Sequence, residues 1–432
     1  MVDQRRFDNQ RSTPKAGPAG KKLATTDDAW VSARDAAAFL GIDIRTLYAY
    51  VSRGAVRSSP APSGRARQYA RDDLAKLKAR HDARAGHGAV AASALRWGEP
   101  VLDSAITEIT QQGPAYRGHL ATALAHRGVA FERVAELLWQ GYLPPGDVSW
   151  TRTAPANLDR LLTVAARASS LDLMSMLTTA LAMNDEQRHD TRPDTLVQVG
   201  RQLIPLLACA CSSDRTASCF ARLLRQPSVA DIVTAALAAP SEVRPLLEQT
   251  LVLLADHELN ASSFAARIAA SAEADGYAVI NAGLAVLSGT GHGAHSLRVE
   301  AMLNQIAKPS DARTAVRVMR ERGIALPGFG HSLYPDGDPR GTALLGAALA
   351  RAGKRPRLQV VAAVLDATQG WATPNIDFAL AALCAAYDLP PGTGVTLFAI
   401  GRTAGWIAHA MEQRAAAYLL RPRARYVGVP LR

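Results

Sequence analysis

The nine residues F131-E-R-V-A-E-L-L-W139 carry the pattern that decides the fold. Phe131, Val134, Leu137 and Leu138 recur at helical spacing and fall on one face, while Glu132, Arg133 and Glu136 fall elsewhere. The same period runs through the alanine- and leucine-rich sequence on either side. It is not interrupted by alternating β-rich runs, a glycine-rich phosphate loop after a strand or an internal repeat. From about Trp97 to the C-terminus the sequence therefore predicts a large, mainly α body with a few short strands near its start.

Composition narrows the class. The chain has 432 residues, long enough for two or more domains. No window approaches the run of about 20 uncharged apolar residues that a membrane helix needs. The opening M1-V-D-Q-R-R-F-D-N-Q lacks the apolar stretch of a signal peptide, so a cytoplasmic protein without a membrane partner is expected. Cys209, Cys211, Cys219 and Cys384 are too few for a disulfide framework and are not spaced as zinc ligands; they read as small buried hydrophobes, and no metal site is expected.

The formal charge of +11 is unevenly spread. Residues 1–96 hold 18 Lys and Arg against 9 Asp and Glu, and the remainder holds 31 against 29. A basic head on a nearly neutral body suits either a nucleic-acid-binding module or a solvated basic tail. Residues 1–27, rich in Arg, Lys, Pro, Gly, Ser and Thr, cannot bury enough surface to order themselves. V31-S-A-R-D-A-A-A-F-L-G41 reads as a helix with Ser32 as N-cap, and I42-D-I-R-T-L-Y-A-Y-V-S-R-G54 as a second helix capped by Asp43. That second helix turns Leu47 and Val51 inward and leaves Arg45, Thr46, Tyr48 and Arg53 outward. Downstream, A55-V-R-S-S-P-A-P-S-G-R-A-R-Q-Y69 reads as strand, loop and return strand carrying Arg65 and Arg67, before a helix from Arg71. The stretch of about residues 28–80 resembles the winged helix-turn-helix of the MerR and excisionase families. The resemblance implies that Arg65 and Arg67 meet phosphates and the second helix meets base edges of DNA; some such domains bind protein instead. Residues 81–96 read as a linker.

Chemistry in a helical body belongs where Gly and Pro break the pattern among His, Asp and Arg. Four segments stand out, three of them with Gly or Pro: L254-A-D-H-E-L-N-A-S262, S288-G-T-G-H-G-A-H-S296, P327-G-F-G-H-S-L-Y-P-D-G-D-P-R340 and P374-N-I-D-F378. Together with E136-L-L-W-Q-G-Y-L-P144, T396-L-F-A-I-G-R-T-A-G-W-I-A-H-A-M-E412 and R421-P-R-A-R-Y-V-G428, their order resembles the citrate synthase family over the whole body.

The resemblance implies condensation of an acyl-CoA with oxaloacetate, without a further cofactor. It makes Asp377 the base, His292 the donor to the thioester oxygen, and His331 the group that polarises and protonates the ketone oxygen. It assigns the oxaloacetate carboxylates to His257, Arg340, Arg402 and Arg421, the last delivered by a second subunit, so that the unit is at least a homodimer. Phe398 flanks the catalytic acid, and Pro327, Gly328, Phe329 and Gly330 wrap the CoA adenine. It further implies a large domain of residues 97–294 and 392–432, and a small one of 295–391 that closes onto it.

The chain departs from the family pattern at four places. It has H292-G-A-H295 for H-G-G-A, Leu254 for an earlier histidine, Ser332 for an arginine common in bacterial members, and W371-A-T-P-N375 in place of basic residues. Three functions stay open: a citrate synthase, a 2-methylcitrate synthase using propionyl-CoA, and a DNA-binding regulator that senses oxaloacetate or acyl-CoA without turning it over.

Overall fold

The computed structural model describes residues 30–40, 42–52, 56–60, 67–71, 73–74, 102–150, 152, 154–351, 355–422, 426 and 428–429. The tail 1–27, the linker 81–96, Gly41, Arg53, Gly54, Arg65 and most of the helix expected from Arg71 lie outside the described residues. The chain divides into two compact units, one of Met1–Asp103 with Pro422–Arg432 and a body of Ser104–Arg421.

In the N-terminal unit, strand β1 (Trp30–Ser32) leads into helices α1 (Ala33–Leu40) and α2 (Ile44–Ser52), followed by strands β2 (Ser58–Pro60) and β3 (Arg67–Ala70). The strands form one antiparallel sheet ordered β1-β3-β2, with Val31 opposite Tyr69 and Ser59 opposite Gln68. Both expected caps are present: Asp35 N–H donates to Ser32 Oγ at 3.3 Å and Thr46 N–H to Asp43 Oδ1 at 2.7 Å. Ala36, Leu40, Leu47, Val56, Tyr69 and Leu74 close a small core. The helix expected from Val31 begins instead at Ala33. Trp30 and Val31, both strand formers, pair with β3, and the Ser32 cap fixes where the helix can start.

The body opens with a β-meander of β4 (Thr107–Thr110), β5 (Gly113–Tyr116) and β6 (His119–Leu120). Helices follow: α3 (Ala121–His126), α4 (Phe131–Gln140), α5 (Leu158–Val164), α6 (Ser170–Asn184), α7 (Pro193–Cys209), α8 (Ala217–Leu223), α9 (Val229–Ala236) and α10 (Arg244–Leu254). After them come α11 (Ala261–Ser271), α12 (Gly276–Leu287), α13 (His295–Gln305), α14 (Pro309–Glu321), α15 (Pro339–Arg351), α16 (Pro356–Thr368), α17 (Ile376–Ala386) and α18 (Thr393–Ala416). Caps set many of the starts, with Ser169, Thr216, Ser228, Asn260, Asp275 and Asn375 each accepting a backbone N–H of the first turn.

Helix α18 is the axle of the body. Its residues from Thr393 to Ala410 are buried on every side, polar Arg402 and His409 among them, so it has no solvent-facing stripe over that span. Trp139 Nε1 of α4 donates to the Ala404 carbonyl at 2.9 Å, and Trp406 lies against Gly283 of α12 so closely that a Cβ there would stand 2.6 Å from the indole. The four cysteines are buried and unbridged. Among the described residues no helix is long and apolar enough to cross a membrane.

Candidate active site

Each of the four segments singled out in the sequence adjoins a helix end. His257 follows the C-terminus of α10, where Tyr116 from β5 donates its hydroxyl to the end of the helix, 3.1 Å from the Val252, Leu253 and Asp256 carbonyls. His292 sits in the turn between α12 and α13, the segment from Pro327 to Asp338 leads into α15, Asp377 is in the first turn of α17, and Phe398 and Arg402 project from α18.

Two clusters result. In one, the His257 and His331 rings meet edge to face at 5.3 Å, and Tyr334 packs on both at 5.6 and 4.9 Å. Arg340 lies over Tyr334 at 5.9 Å and is clamped by Asp338 through Nε–H at 3.0 Å and Nη2–H at 2.9 Å. The Asp338 carboxylate also accepts the Arg340 N–H at 3.0 Å and the Ile376 N–H at 3.1 Å, so it fixes the turn that carries Asp377 as well. In the second cluster, Phe398 lies 6.0 Å from the His292 ring and 4.8 Å beneath the Arg402 guanidinium. His257 feels both buried arginines, which joins the clusters.

Electrostatics sort these groups by role. Burial pushes the Asp377 carboxyl up to about 7, against the pull of Arg340 and with help from Asp338. Burial, with Arg402, lowers His292 to about 4; burial, with Arg340, lowers His331 to about 4. His257 is held well below its ordinary value by burial and then by Arg340 and Arg402. Both proposed donor imidazoles are therefore neutral at neutral pH. His331 Nδ1 accepts from the Leu333 N–H at 3.1 Å, which leaves its proton on Nε2.

His292 is fixed through Ser262, whose Oγ is 2.8 Å from His292 Nε2 and also accepts Trp406 Nε1–H at 3.1 Å. The Ser262 hydroxyl has one proton, for either Asn260 Oδ1 at 2.8 Å or His292; when it goes to His292, the ring proton stands on Nδ1. Arg402 gives Nε–H to the Leu254 carbonyl at 2.9 Å, while its buried Nη2 and the buried Oδ1 of Asp377 have no hydrogen-bond partner among the described residues. Burial, and Arg340 as a nearby like charge, bring Arg402 down to about 10, and Asp256 opposes this. A buried, partly unsatisfied guanidinium beside a second cation suits an anion, and an unpartnered buried carboxylate of raised pKa suits a proton acceptor.

The Pro327–Gly330 loop is tied to the Asp377 turn. Gly330 N–H donates to the Thr373 carbonyl at 2.8 Å, Asn375 N–H to the Gly328 carbonyl at 2.9 Å, and Asn375 Nδ2 to the Gly330 carbonyl at 3.0 Å. Phe329 and Gly330 line a cavity of about 450 Å³, whereas Pro327 and Gly328 are buried behind them. Gly328 has φ +80°, and a Cβ there would stand 2.9 Å from Phe378.

A sequence profile described as "Citrate synthase, C-terminal domain" matches residues 94–423. The chain belongs to the citrate synthase family. The Bacillus subtilis protein named "Citrate synthase 2" is 33% identical over 195 residues, 44% of this chain and 52% of that one. A 2-methylcitrate synthase of Mycobacterium tuberculosis is 28% identical over 378 residues, 77% of this chain and 89% of its own. The chain spans about half the length of the first curated relatives it matches. The Thermoplasma acidophilum citrate synthase, solved in ternary complex with carboxymethyl coenzyme A and oxaloacetate, superposes with a TM-score of 0.65 at 22% identity, covering 77% of this chain and 95% of that one; it shares the fold.

Two departures from the citrate synthase pattern gain a physical reading. Ala294 has φ −71° and ψ 5°, a conformation open to any residue, whereas a Cβ at Gly293 would run into Leu287. The indispensable glycine of the pair is therefore the one this chain keeps. His295, the extra imidazole, accepts the Gly328 N–H through Nε2 at 3.4 Å and so bridges the His292 turn to the 327–330 loop.

Of the other sequence candidates, Arg421 is exposed after α18 and makes no hydrogen bond or ion pair among the described residues. In the N-terminal unit Arg45, Tyr48 and Arg67 are exposed and Thr46 is half-buried. Ser262, Tyr334, Asp338, Asn375 and Trp406 all lay inside or beside quoted segments, but nothing in their spacing distinguished them from neighbours; their importance comes from contacts across the chain.

Proposed function

We propose that this citrate synthase-family chain condenses an acyl-CoA with oxaloacetate and hydrolyses the resulting thioester, with acetyl-CoA as the substrate. The observation that carries it is Asp377: a buried carboxyl raised to about 7, its Oδ1 unpartnered, among neutral imidazoles and two buried arginines. Asp377 removes the proton from the carbon next to the thioester, His292 donates to the oxygen that gains charge, and His331 Nε2–H polarises the ketone and protonates the alkoxide as the carbon–carbon bond forms. Arg340, Arg402 and His257 hold the dicarboxylate, and Arg421 joins them from the second subunit of a homodimer. Closure of residues 295–391 over the remainder excludes water from the enolate. In the test, purified protein receives oxaloacetate with acetyl-CoA or propionyl-CoA and free thiol is followed. Release with acetyl-CoA that Asp377→Ala abolishes supports the proposal; a strong preference for propionyl-CoA makes it a 2-methylcitrate synthase instead, and no release with either overturns it.

A second proposal rests on the N-terminal unit, whose two capped helices and return strands support a winged helix-turn-helix bound to DNA through Arg45, Thr46, Tyr48, Arg53, Arg65 and Arg67. A mobility shift with DNA flanking its own gene, weakened by salt and by Arg45→Ala with Arg67→Ala, supports it; a shift indifferent to both contradicts it.

A further inference from the structure

Arg402, Gly405 and His409 recur at i, i+3 and i+7 along α18 and so present one face, which meets the turn that ends α10. Arg402 Nε–H donates to the Leu254 carbonyl at 2.9 Å, Gly405 N–H donates to the Ala255 carbonyl at 3.0 Å, and His409 Nε2 stands 3.3 Å from Asp256 Oδ1. A Cβ at Gly405 would run into that same oxygen, so the glycine lets the carboxylate lie against the helix. Asp256, Arg402 and His409 are all buried. The second carboxylate oxygen, Asp256 Oδ2, accepts the Glu258 N–H at 3.1 Å. Held from these two sides, the carboxylate closes no ion pair with Arg402, whose Nη2 has no hydrogen-bond partner among the described residues. The two charges still act on each other. Burial lowers Arg402 and Asp256 opposes this, while burial raises Asp256 and His409, then Arg402, hold it below its ordinary value. A buried anion next in sequence to His257 repels the dicarboxylate that Arg402 attracts, so its presence there calls for a function.

We propose that Asp256 is the resident counter-charge of Arg402 and that His409 holds it off the guanidinium, so that the pair sets the affinity of the site for a dicarboxylate; this rests on the oxaloacetate reading above. Before substrate binds, Asp256 offsets the buried Arg402 charge. Because His409 and the Glu258 N–H restrain that carboxylate, Nη2 stays open, and a substrate carboxylate can close the pair that Asp256 does not. Asp256 and His409 are positioning residues that act through Arg402.

Calorimetric titration of the full-length protein with oxaloacetate at pH 8 tests this, since it reads binding without turnover. Asp256→Asn is expected to tighten oxaloacetate about tenfold and to lower the melting temperature of the substrate-free protein, because the ligand then supplies the charge that Arg402 lacks. His409→Leu is expected to weaken binding about tenfold as the freed carboxylate closes on Arg402. His409→Gln, whose amide N–H can still reach Asp256, should restore most of that loss. Asp256→Asn combined with His409→Gln gives an uncharged pair of like shape; it should bind as tightly as Asp256→Asn and serves where the single change does not fold. Glu321→Gln, a surface carboxylate of α14, is the control and should leave binding unchanged. A merely structural Asp256 would weaken binding when replaced. Weaker or unchanged binding in the variants that lack the Asp256 charge, or no recovery from His409→Leu to His409→Gln, overturns the assignment, while wild-type binding keeps the oxaloacetate reading. If the wild type does not bind oxaloacetate, both fail.

Discussion

Asp377 is where stability and chemistry oppose each other. Its carboxyl titrates near 3.8 in an unfolded chain and at about 7 in the fold, so between those values the folded state keeps a proton that the unfolded state has released. That contribution is complete below about pH 4 and is lost as pH rises through 7. Asp377→Asn should therefore raise stability by ~2–4 kcal/mol at pH 8 and by almost nothing at pH 4, read from denaturant melts at both, while removing turnover. For the rate, the ionised form is needed, so kcat/KM should fall tenfold per unit below about pH 7, whereas His292 and His331, at about 4, add no limb in that range. Ser262→Ala should lower kcat by ~10–100-fold with little change in KM for oxaloacetate, because His292 loses the partner that sets its tautomer. Arg402→Gln should instead raise that KM by about 30-fold or more, since it removes a buried charge proposed to hold the dicarboxylate.

Helices and turns place these groups, and here the sequence was legible to different depths. The 3.6-residue period of F131-E-R-V-A-E-L-L-W139 is local, so α4 and its neighbours could be read directly. The positions of His257, His292, His331 and Asp377 at helix ends were legible because glycine, proline and capping residues mark such ends. The pairing of the 327–330 loop with Thr373 and Asn375 was not, since it joins residues more than forty apart through backbone groups that every sequence has. Strand β1 was missed for the same reason: its partner β3 is remote. At this scale the His292 turn gives a sharp expectation. Gly293→Ala should perturb it through Leu287 and cost activity, and Ala294→Gly should change neither the melting temperature nor kcat by more than a little. His295→Leu should raise KM for acyl-CoA more than it lowers kcat, and His295→Gln, which keeps an acceptor for Gly328, should restore most of the loss.

For the whole molecule, the charge of +11 is a sum of two different things. Residues 1–96 carry most of it, and a DNA-binding head predicts that each lost phosphate contact lowers the salt slope by about one. The body's consequential arginines are buried: Arg340 is 2% exposed and Arg402 1%, which suits a small dicarboxylate and excludes a surface polyanion for those two. Around α18 the packing leaves no slack, so Gly283→Ala should cost about 1–3 kcal/mol by pushing on Trp406. Catalysis as proposed for this chain depends on Asp377 acting as a base on an acyl-CoA. Mixing the protein with oxaloacetate and acetyl-CoA at pH 8 and following thiol release measures this most directly. Steady release in the wild type and a loss of about a thousandfold or more in Asp377→Asn, which stays folded, is the expected result. Release at the wild-type rate by Asp377→Asn, or none from the wild type with any acyl-CoA, would contradict it.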